Sequence, residues 1–173
     1  MLGLGVVGAA LGGCTALAPV SGMSSVSRAV PVPILVDAGG EIAAAEAHAA
    51  DDPACFVLRG AGRSMEPIYA NGTVIVVRER SLCGLRQGQA VVYRNTRGRY
   101  VAHILVEERP NGWMVRGLNN AAPDDELVTR DNFLGVVHAA YAPSGTRMHA
   151  AVAARPVDKR TAVLGARWDL VGN

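Results

Sequence analysis

Lysine is nearly missing from this chain. Sixteen of the seventeen basic residues are arginine, and Lys159 is the only lysine, which narrows the choice of a general base. Aromatic residues are scarce at 5%, so a core must lean on Val, Leu, Ile and Ala. Charge is sparse as well: 18% of the residues, a net +2 and no basic run, which argues against nucleic acid as a partner. Cysteine is limited to Cys14, Cys55 and Cys83, with no C-x-x-C pair. A zinc site would have to gather histidines from distant segments, and neither metal nor cofactor is expected. Cys55–Cys83 as a disulfide of an exported chain, or as two buried small residues, both stay open.

Half of the 173 residues are apolar, with 20 Gly and 9 Pro. That excludes general disorder, and the length suits one domain with a tail. No charge precedes Arg28, and residues 1–20 are apolar and rich in Gly and Ala. The stretch suits a secretory apolar region, a weak membrane span or a buried segment. Within it, Leu11-Gly12-Gly13-Cys14 resembles a bacterial lipobox, in which the cysteine is lipidated after cleavage. The expected location is the cell envelope, exported or membrane-associated through a lipid on Cys14; the cytoplasm is the alternative.

Residues 21–50 read as a Ser/Val/Pro linker followed by a short helix, Glu41 to Ala50, built of strong helix formers. Beyond it the pattern changes. Cys55–Arg59, Thr73–Arg78, Ala90–Tyr93, Tyr100–Val106, Gly112–Arg116 and Phe133–Ala139 are short runs rich in Val, Ile and aromatics. Gly, Asn or Pro separates nearly all of them. Arg94–Arg99 and Glu107–Gly112 read as polar hairpin loops. Many short strands without α/β alternation predict a mainly-β fold, mostly antiparallel, over 51–142. A tail of 143–173 follows, with a helix-capable stretch at Met148–Ala154.

The chemistry gathers in three segments. Gly60-Ala-Gly-Arg-Ser-Met-Glu-Pro67 runs from a strand into a glycine-rich turn that can expose the Ser64 hydroxyl. Backbone N–H groups of Gly62, Arg63 and Met65 are candidates for binding an oxyanion or substrate there. Ser64-Met65-Glu66-Pro67 is followed by Asn71-Gly72 and Thr73–Val77, then by Gly84-Leu-Arg-Gln-Gly-Gln-Ala-Val-Val-Tyr93 and Val101-Ala-His-Ile-Leu-Val106. Val115-Arg-Gly-Leu-Asn-Asn120, Pro123-Asp124-Asp125 and Leu134–Val137 complete the order.

This succession, from about Phe56 to Val137, resembles the signal peptidase and LexA-like serine peptidase superfamily. The resemblance implies a LexA/signal-peptidase-like β-fold and a serine nucleophile at Ser64. Lysine is the base in many of its members; His103 stands at that position here. The histidine form is that of the archaeal and endoplasmic-reticulum type signal peptidases. Those enzymes also carry Lys-Gly-Asp-Asn-Asn and, shortly after, an aspartate. Arg116-Gly-Leu-Asn-Asn120 with Asp124 reproduces that segment, except that Leu118 replaces the first aspartate. Gly72-Thr73 and Gly88-Gln89 likewise stand where relatives have Gly-Asp.

A neutral imidazole, with an ordinary pKa of about 6.5, can take a serine proton at neutral pH. A carboxylate on its other nitrogen fixes the tautomer. Asp124 is the choice for that role, with Asp125 one residue away as competitor. Alternation puts Val101 and His103 on one strand face, so His103 is read either as this base or as a polar-face residue. His48, His138 and His149 lack a carboxylate partner in any recognisable motif and read as structural or solvent-facing. The expected activity is a serine endopeptidase of signal peptidase type, its polypeptide substrate bound as an added strand along the edges leading to Ser64 and His103. A LexA-like cut of the chain itself at Ala38-Gly39, or a non-catalytic peptide-binding envelope protein, are the alternatives.

Overall fold

The computed structural model describes residues 30–145 and the backbone of residues 167–170. In chain order the elements are β1 (Ile34–Val36), α1 (Glu41–Ala49), β2 (Cys55–Ala61), β3 (Val74–Arg78), β4 (Ala90–Arg94) and β5 (Tyr100–Arg109). β6 (Gly112–Arg116), β7 (Leu127–Val128), β8 (Phe133–Pro143) and β9 (Arg167–Leu170) follow. The fold is mainly β and mostly antiparallel, with a single short helix among the described residues; β1 pairs parallel with β8. The stretch proposed as a C-terminal helix, 148–154, lies outside the described residues, as do residues 1–20.

Valine supplies the strands, and alternation divides it between layers. On β3, Ile75 and Val77 face one cluster with Leu58, Met65, Tyr69, Val92 and Ala102. Val74 and Val76 face another, where Ala45 of α1 packs with Val57, Ala139 and Tyr141. The four consecutive residues Val74–Val77 are therefore all fully buried, as a strand covered on both faces requires. Each such side chain contributes about 1.5–3 kcal/mol of apolar burial. A third cluster gathers Val91, Tyr93, Val101, Leu105, Trp113 and Val115.

The pairings close a ring. β2 pairs with β3, β3 with β8, β8 with β4, β4 with β5, β5 with β9, and β9 with β2. β6 and β7 extend outward from β5, and β1 from β8. The loops are as the sequence suggests at 94–99, where Asn95 and Arg99 close the β4–β5 hairpin. Glu107–Arg109, expected in a loop, instead continue β5 past a bulge and pair with Gly112–Met114.

Cys55 is a free thiol whereas Cys83 is disulfide-bonded, so the Cys55–Cys83 pairing is not formed. Burial raises the pKa of Cys55, and the negative charge of Asp52 adds to it. No helix among the described residues is long and apolar enough to cross a membrane.

Candidate active site

β2 ends at Ala61, and Gly62 turns the chain with φ +127°, a conformation that L side chains rarely adopt. The Gly62 N–H donates to Asn71 Oδ1 at 3.1 Å, which ties the turn to the Asn71-Gly72 corner. Met65 and Tyr69 drop into the core beneath, at 2% and 1% exposure, so Ser64 sits on an anchored turn. The loop after β6 grips it from the other side. The Asn119 N–H donates to the Ser64 carbonyl at 2.7 Å, and Asn119 Nδ2 donates to the Arg63 carbonyl at 3.2 Å.

This second grip depends on Gly117. A Cβ there would stand 2.7 Å from the Ser64 carbonyl oxygen, closer than real Cβ contacts occur. Gly117→Ala must therefore push the loop away from Ser64. A displacement near 1 Å at a reacting group costs about 100-fold in rate. We expect a kcat/KM loss of that order with little change in thermal stability, read by steady-state hydrolysis beside a melting curve; unchanged turnover would contradict the packing.

His103 arrives on β5, opposite Val91 of β4. It shares its face with Val101 and Leu105 of the third cluster, and is 3% exposed. The reading of His103 as a polar-face residue is thus corrected: the face is apolar, and the imidazole is buried in it. Its Nε2 lies 2.9 Å from Ser64 Oγ, and its Nδ1 lies 2.6 Å from Asp124 Oδ2. The carboxylate can only accept, so Nδ1 carries the proton and Nε2 presents its lone pair to the serine hydroxyl. Asp124 is held in place by its own N–H, which donates to the Val115 carbonyl at 2.9 Å. Asp125, the competitor, is exposed and makes no contact with His103.

Tyr93 was not foreseen. Its hydroxyl donates to the same Oδ2 of Asp124 that receives the His103 Nδ1–H. Its ring stands 6.4 Å from the imidazole, centroid to centroid. Burial, reinforced by the hydrogen bond to Asp124, pushes the phenol far above its ordinary pKa, so it stays protonated and donating. Removing that donor leaves Asp124 free to rotate away from His103. Tyr93→Phe is expected to lower kcat about 10-fold, less than the roughly 100-fold or more that a proton-transfer group itself contributes, because Tyr93 acts only through Asp124. Steady-state kinetics beside a melting curve is the check: kcat is expected to fall with KM and melting temperature nearly constant, whereas mere loss of packing would lower the melting temperature.

The other predicted contact residues divide. Gly62 has already committed its N–H to Asn71, which takes it out of the oxyanion role. Among the described residues, the N–H groups of Ser64 and Met65 donate to no protein acceptor, so both are open to a ligand oxygen. Arg63 is 74% exposed and ion-paired with Glu66 at 3.1 Å, a surface pair of small worth. Leu118 packs against the main core where relatives have an aspartate. Gln89 accepts from the Arg86 N–H at 2.7 Å and so caps the turn that an aspartate would otherwise close.

The remaining histidines stand apart. His48 bonds the Tyr141 hydroxyl at 2.8 Å and meets His138 edge-on, on the α1 side. Burial, with the nearby Arg78 charge, lowers the His138 pKa. His149 lies outside the described residues. Ala38-Gly39 forms the turn between β1 and α1. β8 and β3 stand between β1 and β2, three inter-strand steps of about 4.8 Å each, so this bond is not presented to Ser64.

No curated protein and no solved structure matches the chain. A family match does exist, to the family described as Peptidase S24-like, across residues 19–138. That span takes in every strand from β1 to β7, the larger part of β8, and the whole Ser64–His103–Asp124 cluster. With well over half of its length so matched, this chain belongs to the Peptidase S24-like family, a group with a fold of the serine peptidase type.

Proposed function

We propose that the protein is a serine endopeptidase of signal peptidase type, of the serine/histidine kind. The separation of 2.9 Å between Ser64 Oγ and His103 Nε2 carries this reading. As the Ser64 oxygen attacks the peptide carbonyl, its proton passes to Nε2. The imidazolium so formed is stabilised by Asp124, itself held by Tyr93. Charge on the carbonyl oxygen is met by the free N–H groups of Ser64 and Met65. His103 then protonates the leaving amine, and an ester to Ser64 remains. Water, deprotonated by His103, cleaves the ester and returns the serine its proton.

The substrates in this reading are exported or membrane-associated polypeptides. The uncharged apolar stretch 1–20 supports it. A direct test is to mix the protein with a peptide ester, quench in acid and map the adduct by mass spectrometry. The acyl group is expected on Ser64; turnover with the acyl group on another residue would sink the assignment.

A further inference from the structure

β2 leads to Ser64 and β5 carries His103, so the space between them is the edge along which a peptide would pair. Gly60 spends both of its backbone groups on the β3 side: its N–H on the Thr73 carbonyl at 2.8 Å, its carbonyl on the Gly72 N–H at 2.9 Å. Backbone groups alternate in direction along an antiparallel strand. Arg59 and Ala61 therefore aim theirs at the opposite edge. There β9 lies, antiparallel, with Asp169 opposite Arg59 and Arg167 opposite Ala61. On its far side Trp168 pairs with Tyr100, three residues before His103.

β9 is thus the one member of the ring whose removal opens a gap between the nucleophile's strand and the base's strand. It is four residues long and meets β5 at a single residue pair. A second observation agrees: Ser64 is 0% exposed and His103 3%, although both have to meet a substrate. An unpaired strand edge takes up an extended peptide through its backbone, with little demand on sequence.

We propose that β9 occupies the peptide site in cis: Arg167–Leu170 fill the edge at which an extended polypeptide pairs, and must leave before a substrate enters. This rests on reading the site as a peptidase. It adds that the chain's own strand competes with substrate, so the protein as it stands is held in check.

The test uses binding, so that it does not depend on catalysis. The full chain carrying Ser64→Ala is titrated with a fluorescein-labelled peptide of sequence Ala-Arg-Trp-Asp-Leu-Val-Gly-Asn, that of residues 166–173. The same titration follows with Arg167→Pro and Asp169→Pro added, which remove the two N–H groups aimed at β2. The proline variant is expected to bind about 10-fold more tightly or better, the factor being set by the fraction of molecules with the edge already free. Equal affinity, or no binding by either protein, overturns the proposal. Should the proline variant fail to fold, the intact Ser64→Ala chain decides by nuclear magnetic resonance. Saturating peptide is expected to shift the Trp168 backbone amide, and peptide bound with that amide unmoved overturns the proposal. If the wild-type chain proves inert toward every peptide while these shifts occur, the peptidase reading fails and the cis-bound strand stands.

Discussion

Alanine at Ser64, and separately at His103, is expected to lower peptide hydrolysis about 10⁴-fold or more, with the double variant no worse than either alone. The non-additivity is the sharper half of the expectation. In the proposed reaction His103 Nε2, 2.9 Å from Ser64 Oγ, takes the serine proton, so removing either partner would disable the same step. Both side chains are buried, and both alanine variants shorten rather than enlarge, so the fold should persist. Steady-state kinetics on a labelled peptide measures the loss, and circular dichroism checks the fold. Hydrolysis within 10-fold of wild type in either single variant would remove Ser64 and His103 from the reaction.

Asparagine at Asp124 and at Asp125 should separate two neighbours by orders of magnitude. The carboxylate of Asp124 holds Nδ1–H at 2.6 Å and so keeps Nε2 free to accept. An amide there can offer its own N–H to Nδ1, which drives the ring to the other tautomer and points a proton at the serine. That exchange lowers kcat by about 10⁴-fold in a serine–histidine–aspartate arrangement. Asp124→Asn is expected to approach that figure, with KM nearly constant. Asp125→Asn, exposed and away from the imidazole, should stay within about 2-fold, as surface substitutions ordinarily do. A reversed order of effects would mean that the carboxylate at 124 serves the turn after Pro123 and not the imidazole.

Much of this arrangement was legible in the letters because its parts are local. Val74-Ile-Val-Val77 bounded by Asn71-Gly72 declares a strand, and Glu41–Ala49 a helix, from composition and punctuation alone. The order Ser64, His103, Asp124 follows from motif succession. What escaped the sequence depends on partners far along the chain. β1 follows Pro33 and leaves Ile34 and Leu35 about half exposed, so nothing local marks it as a strand; it exists because β8, a hundred residues later, offers an edge. β7 has two residues and no run to betray it. Glu107–Arg109 are charged, as loop residues are, yet a bulge after Leu105 carries them along β6. Tyr93 could have been suspected only as one of four tyrosines in a chain poor in aromatics. Its reach to Asp124 depends on the β4–β5 register, in which Val91 faces His103 and Tyr93 faces Val101. Register is a tertiary fact.

β8 pairs with β1, β3 and β4, and through them it ties residue 34 to residue 143. Until that strand exists, neither β1 nor the outer edge of β3 has a neighbour, however long they wait. Contacts of such wide sequence separation make for slow assembly, with β-rich domains of this kind maturing over about milliseconds to seconds. A nascent chain of this protein therefore remains without its hub until Phe133–Pro143 have been synthesised. The half-built polypeptide carries bare valine-rich edges through that interval.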